Sequence, residues 1–322
     1  MAHTILITGG HTGLGIECSR QLLADYPDAH LLWASRSVDL AKETARQFQP
    51  QGRVSVLPLD LASLASVRTL AEAVQAQLAA GSLPPLQTIV CNAGIQFAEG
   101  LHRTADDLEQ TFEVNVLGHF LLVKLLLPHL NRAGRVVVVS SGTHFNAPRV
   151  WTSAMFGMPA PQYLGAAAVA HGDVPADLDP ASAKANMFRY GTSKLCTLLF
   201  TYELDRRLRE AGSAVTVNAF DPGLMPGTGL ARANPAPALW MWNHVMPVLR
   251  IFPGVNSPAT SGGCLARLAA DPVLNGKSGG YYEGDHLVPS SELSRQPKLW
   301  ADLWQECERL VAQPAVRKRV AA

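Results

Sequence analysis

Nothing in this chain reads as a disulfide framework. Its five cysteines, at positions 18, 91, 196, 264 and 307, are odd in number and form no C-x-x-C pair, which argues equally against a structural zinc site, so no metal is expected. They are expected to be buried thiols in a reducing, cytoplasmic setting. Charge is sparse as well: 16% of residues are charged and the net charge is +1, so there is no broad basic field and no nucleic-acid partner is expected. No low-complexity tract is present, and disorder is expected only in a loose basic tail, 314–322, which carries Arg317, Lys318 and Arg319. Long apolar runs are lacking too. The two most apolar stretches, 116–130 and 239–252, are shorter than a membrane span requires and are broken by His119, Lys124, Asn243, His244 and Pro247, so stable membrane insertion is not expected. The first strand-like run begins four residues from Met1, so no secretion signal is expected ahead of it.

What is present is a globular pattern. Hydrophobic residues make up 48% of 322, enough to bury a full core, and residues 1–313 are expected to form a single domain. Strand-like runs at 4–8, 30–34, 54–57, 88–91, 135–140 and 215–220 alternate with helical patterns at 14–25, 38–48, 64–80, 105–129, 187–211 and 257–270. Alternation of this kind predicts an α/β fold: a doubly wound parallel sheet with helices on both faces, whose uncharged strands, such as Val136 to Val139, are buried on both sides. A last short strand is expected near 280–283. A stripe of Leu299, Trp300, Leu303, Trp304, Cys307, Leu310 and Val311 at helical spacing reads as a face packed on the body.

Two local patterns carry chemistry. Tyr190-Gly-Thr-Ser-Lys194 puts a phenol and an ammonium one helical turn apart on one face. A phenol with its ordinary pKa of about 10 is a poor proton carrier near neutrality, and a fixed cation nearby is expected to pull that value down, so that Tyr190 can trade a proton with an alcohol or carbonyl oxygen. At the other end of the chain the first strand runs into Gly9-Gly-His-Thr-Gly13-Leu-Gly15 and then a helix. Glycines at 9, 13 and 15 allow a sharp turn, bring bare backbone against a pyrophosphate and aim helix N-terminal amides at its charge.

Thr8-Gly-x-x-x-Gly-x-Gly15 followed by Tyr190-x-x-x-Lys194 resembles the short-chain dehydrogenase/reductase family, over about residues 3–270. The resemblance implies a Rossmann-type fold, an NADP cofactor and hydride transfer. By the family pattern Ser141, the second of Ser140-Ser141, is the catalytic hydroxyl that holds the substrate oxygen. Asn115 distorts its helix and holds a water that links Lys194 to bulk solvent, and Lys194 also bonds the nicotinamide ribose. The catalytic set is thus Asn115, Ser141, Tyr190 and Lys194. Thr12 and Leu14 join the glycines of the loop in binding cofactor. Asp60-Leu61 and Asn92-Ala93-Gly94 border the adenine and the ribose, while Pro222-Gly223 and Thr228 meet the carboxamide end. His144 is expected to pack beside the site.

Arg36 closes the second strand-like run, where an NAD-preferring chain carries an acid for the ribose hydroxyls. It is either a plain surface arginine or the clamp for a 2′-phosphate, and the absence of an acid favours NADP. His11 can add positive potential.

Two segments break the alternation. The stretch 145–186 is an insertion where a compact family member needs only about a dozen residues. The stretch 224–256 carries Trp240, Met241, Trp242, Val245, Met246, Val248, Leu249, Ile251 and Phe252, and is expected to form a substrate lid around a large apolar cavity.

Within the family the resemblance leans toward retinol dehydrogenases, carbonyl reductases and light-dependent protochlorophyllide reductases. Leu224 stands where the photoenzyme has a cysteine, which counts against photochemistry. The expected activity is NADPH-dependent reduction of bulky apolar ketones or aldehydes, or the reverse oxidation. The alternatives are a light-dependent pigment reductase and a non-catalytic NADPH-binding regulator. Because family members pair through the helix that bears the tyrosine and the long insertion can block that pairing, a monomer is expected.

Overall fold

The computed structural model describes residues 1–48, 52–146, 150–226, 236–252 and 254–313. The expected basic tail and Thr228 lie outside the described residues. Eight strands form one sheet: β1 (His3–Thr8), β2 (Ala29–Ser35), β3 (Val54–Pro58), β4 (Leu86–Cys91), β5 (Leu130–Val139), β6 (Thr216–Asp221), β7 (Tyr281–Glu283) and β8 (His286–Val288), in the order β3-β2-β1-β4-β5-β6-β7-β8. The first seven run parallel. The last pairs antiparallel with β7 in a hairpin that the sequence pattern did not anticipate, because a three-residue strand with two exposed positions shows no periodicity.

Alternate residues of each strand feed opposite faces. Leu6, Leu32, Ile89, Val136 and Val138 join one core with α3 (Leu64–Ala79), α5 (Gly118–Leu126) and α8 (Ala183–Glu210). Ile5, Ile7, Leu31, Trp33, Val137 and Val139 join the other with α1 (Gly13–Asp25) and α10 (Pro258–Ala270). Burial on both sides is why these strands are continuous apolar runs. The strand order reverses between β1 and β4, and in an open parallel sheet this switch point opens a crevice off the carboxyl ends of the strands.

The helix expected at 105–129 starts later and is not uniform. The Glu109 carboxylate accepts hydrogen bonds from the amides of Thr111 and Phe112 at 2.9 and 2.7 Å and so begins α4 (Gln110–Phe112). The chain then widens into a π-turn, Glu113–Leu117, before α5. The stretch Gln110–His129 is in fact long and apolar enough to cross a membrane by length and composition, which corrects the expectation that no segment here is. Its most apolar window is 78% buried against the sheet and neighbouring helices, as a core helix requires.

The insertion holds two short helices, α6 (Trp151–Met155) and α7 (Ala166–His171), and is tied back by hydrogen bonds from the Glu109 amide to Ala170 O at 2.8 Å and from Arg189 Nε to Gly172 O at 2.9 Å. In the second odd segment, α9 (Ala236–His244) is followed by a 3₁₀ turn, Met246–Ile251. Its ends are pinned where Leu224 pairs with Val255. The C-terminal stripe forms α11 (Pro297–Ala312), and the Trp304 ring meets Phe120 and Phe200 at centroid distances of 4.9 and 6.2 Å.

Candidate active site at the strand ends

The glycine loop closes between β1 and α1. Gly15 lies so near the preceding strand that a Cβ there would stand 2.4 Å from Gly9 O, which no larger residue tolerates. Around Gly13, by contrast, a Cβ would meet nothing within 4 Å, so bare backbone faces open space at the start of α1. Thr12, the N-cap, makes no side-chain capping bond and the first turn holds no acid, which leaves the helix amides directed at that space. The Nδ1 atom of His11 is buried beside it with no partner among the described residues, and burial holds the imidazole below its ordinary pKa. Open backbone, unengaged amides and an orphaned ring nitrogen suit the phosphates of a dinucleotide. Arg36 is exposed at the end of β2, the place expected of it.

Asn92-Ala93-Gly94 is bound to β1 through a hydroxyl. Thr8 Oγ1 accepts from the amides of Asn92 and Ala93, both at 2.9 Å, and lies 2.9 Å from His119 Nε2. Because His119 Nδ1 faces Asn115 O at 3.3 Å, one tautomer satisfies every group: Nδ1 donates to Asn115 O and Nε2 accepts from Thr8. Burial holds His119 down at about 4, so it stays neutral. Asp60 Oδ1 accepts from the Ala62 amide at 3.0 Å and shapes the turn after β3, where Leu61 is buried.

The four residues expected to carry the chemistry converge off β4, β5 and α8. Asn115 sits in the π-turn, which explains how an amide that disfavours a regular helix is accommodated. Its Oδ1 accepts from the Ile95 amide at 2.9 Å, and its Nδ2 donates to Ile95 O at 3.1 Å and to Ser193 Oγ at 3.0 Å. Ser193 in turn donates to Tyr190 O at 2.7 Å, so the π-turn grips the helix that bears the tyrosine. Gly94 leaves room for this: a Cβ there would press to 3.3 Å from Asn115 Oδ1 and 3.7 Å from Lys194 Nζ.

The two serines after β5 divide their work. Ser140 Oγ donates to Lys194 O at 3.0 Å and accepts from Thr197, fastening the strand to α8. Ser141 instead accepts from the Thr143 amide at 3.3 Å and stands beside the Tyr190 phenol. Lys194 Nζ donates to Val139 O at 3.0 Å and lies 5.7 Å from the Tyr190 ring centre.

The protonation expected of the pair needs correcting. Burial and the nearby Asp221 carboxylate push the Tyr190 phenol above its ordinary value, with Ser141 pulling the other way. Burial lowers Lys194 to about 8, and Asp221 opposes that. Both groups are desolvated, which favours the neutral form of each, and the Asp221 carboxyl group stands beside them.

Pro222 O accepts from Ser261 Oγ at 2.6 Å and from Asn256 Nδ2 at 2.9 Å, which holds the corner against α10. His144 packs beside the site and binds Ser141 O at 2.7 Å through Nδ1. Sequence reasoning passed over His119, Ser193 and Asp221 as participants. Only for Asp221 was a signal present, an acid ending an otherwise apolar strand.

Residues 3–153 match the short chain dehydrogenase family. The chain is 32% identical over 315 residues to a polyprenol dehydrogenase of Danio rerio, covering 95% of this chain and 86% of that protein. The chain belongs to the short-chain dehydrogenase/reductase family. As a member of that family it is an NAD(P)-dependent oxidoreductase. It is also 32% identical to the WW domain-containing oxidoreductase of Danio rerio, over 98% of this chain and 70% of that one. Among solved structures, an uncharacterised protein from Mycobacterium paratuberculosis shares the fold at a TM-score of 0.67 and 26% identity, over 97% of this chain and 94% of that one.

Proposed function

We propose that the protein is an NADPH-dependent reductase of bulky apolar ketones or aldehydes, able to run in reverse as an alcohol dehydrogenase. The observation that carries this reading is that Ser141, Tyr190 and Lys194 meet off the end of β5, with Lys194 donating to Val139 O and Asn115 tied to the Tyr190 helix through Ser193. The bound dinucleotide would supply the hydride. Glycine-loop backbone and the α1 amides would hold its phosphates, and exposed Arg36 would clamp a 2′-phosphate, with no acid at the end of β2 to repel it. Ser141 orients the carbonyl oxygen, and Tyr190 delivers a proton to it as charge develops. Lys194 stabilises the tyrosinate left behind. Asn115 fixes Tyr190 and Lys194 through Ser193.

Apolar substrates are supported by the two odd segments. Trp151 from α6 meets Phe252 at a ring-centre distance of 5.8 Å, so the segments touch. Trp240, Met241, Val245, Val248 and Phe252 keep large exposed apolar surfaces. Polyprenol, for which one relative is named, is a substrate of this kind. All five cysteines are free, consistent with the cytoplasm. A monomer is supported by α11, which covers the outer face of α8 and α5 and adds a Lys124–Glu308 ion pair. The test is NADPH consumption across ketones and aldehydes of graded size. The reading requires kcat/KM to rise steeply with apolar bulk and NADH to serve poorly. A flat size series removes the substrate class, and equal use of NADH removes the role of Arg36.

A further inference from the structure

Ser141 is anchored on its two sides by different means. Before it, the Ser140 amide donates to Phe220 O at 2.7 Å and Ser140 Oγ donates to Lys194 O at 3.0 Å, so the sheet and α8 hold the chain. After it, the chain leaves β5 for a single 3₁₀ turn, Gly142–His144. There His144 takes over, reaching the Ser141 carbonyl with its own amide at 3.2 Å and with Nδ1 at 2.7 Å. The other ring nitrogen faces a second main-chain group: the Ser291 amide donates to Nε2 at 3.2 Å, across 147 residues of sequence. A carbonyl only accepts and an amide only donates, so the imidazole is neutral with its proton on Nδ1. The ring is 1% exposed, lies 3.9 Å from the Phe145 ring and meets Tyr281 edge-on at 4.9 Å, and this packing sets its plane. The far end is braced in turn. Ser290 Oγ accepts from the Tyr202 hydroxyl at 2.6 Å, and Trp300 Nε1 donates to Ser294 O at 2.6 Å.

We propose that His144 is a positioning residue: its imidazole fixes the Ser141 carbonyl against the C-terminal segment at Ser290 and Ser291, and so sets where the Ser141 hydroxyl meets the substrate oxygen. With the chain fixed at Ser140 and again at the Ser141 carbonyl, the backbone of Ser141 has little freedom to turn. Only its side-chain rotation remains, and that has three staggered choices. Loss of the imidazole donor would free the carbonyl and let the hydroxyl drift from the reacting oxygen.

The inference rests on Ser141 as the hydroxyl that holds the substrate oxygen, and a double-mutant cycle separates the two ideas. Single-turnover rates and steady-state constants are measured with NADPH and the ketone turned over fastest in the size series. His144→Gln keeps an acceptor for Ser291 but moves the donor away from Ser141 O. It should lower kcat by about ten- to a hundredfold and leave KM for NADPH within about twofold, whereas His144→Asn, whose amide puts an N–H near the Nδ1 position, should recover most of the loss. Ser141→Ala alone should cost at least about 10²-fold, and normal turnover there overturns the role of Ser141 itself. In the Ser141→Ala background, His144→Gln should have almost no further effect. Full kcat in His144→Gln, or an equal fold-loss in both backgrounds, overturns the inference, because His144 would then not act through Ser141. Should the His144 variants fail to fold, NMR of the unmutated protein labelled at its histidine ring nitrogens, with His144 assigned through its contact with the Tyr281 ring, gives a separate answer. The ring must carry its proton on Nδ1 at neutral pH, and a proton on Nε2 overturns the proposal.

Discussion

The floor of the site and the segments over it are built by opposite rules. On the floor, Asn115, Ser140, Ser141, Tyr190, Lys194 and Asp221 are each fixed by hydrogen bonds to main chain or to one another, and most are almost wholly buried. Among the described residues, the segments above, around α6 and α9, carry a ring contact between Trp151 and Phe252, a strand-like pairing at Leu224 and Val255 and a hydrogen bond from Arg250 Nη2 to Pro226 O at 3.0 Å, and they keep large apolar groups facing water. Chemistry needs atoms held to fractions of an ångström, which networks of directional bonds provide. Accommodation of a bulky substrate needs surface that can repack, and non-directional apolar contact permits that. The comparison implies that floor mutations should act on kcat and lid mutations on KM.

The largest expected effect is that of Tyr190→Phe, which should lower kcat by at least about 10²-fold while the fold and NADPH affinity persist, since it removes only a positioned acid. Steady-state kinetics with a fluorescence titration of NADPH check it, and near-normal turnover would break the distinction between floor and lid. Asn115→Leu comes next. It leaves the Ile95 amide and carbonyl without their partner, and each orphaned buried group costs about 1–3 kcal/mol, so denaturant unfolding should show a clear loss of stability along with reduced kcat. Arg36→Ala should weaken NADPH binding by about 1.5–3 kcal/mol and leave NADH binding nearly unchanged, a selective loss that calorimetry can read. If NADH binds the unmutated protein as tightly as NADPH, Arg36 reads no phosphate.

The pH dependence follows from Lys194, whose folded value of about 8 lies below the ordinary lysine value. Below it the ammonium is present, and as pH rises through about 8 it is lost, so reductive kcat should fall on the alkaline side and not on the acid side of neutrality. Stability has the opposite sign. The folded cofactor-free protein binds fewer protons at this group than the unfolded chain between about 8 and the ordinary lysine value of about 10.4, so this contribution makes the protein gain stability across that window. The smallest effect is expected of Trp151→Ala. Loss of the ring contact, worth about 0.5–1.5 kcal/mol, should raise KM for bulky ketones severalfold and leave kcat for small ones within about twofold. A kcat loss as large as that of Tyr190→Phe would show that the lid is part of the chemistry after all.

Much of the molecule was legible before any coordinates. Continuous apolar runs such as Val136 to Val139, a glycine loop between strand and helix, and Tyr190 with Lys194 one turn on are local patterns, and local geometry suffices to interpret them. The choice of Ser141 over Ser140, and the remaining cofactor positions, came from resemblance to a family; the hydrogen bonds of the two serines are where the distinction becomes physical. What only the tertiary structure decided depends on groups far apart in sequence. His119 acquires its tautomer from Thr8, 111 residues away, and the Tyr281 hydroxyl reaches Asp221 across 60. The π-turn at Asn115 is held by Ile95 and Ser193, neither of which lies on its own helix. The protonation of Tyr190 and Lys194 was misjudged from spacing alone, because a pKa answers to burial and to every charge nearby, and spacing specifies only one neighbour.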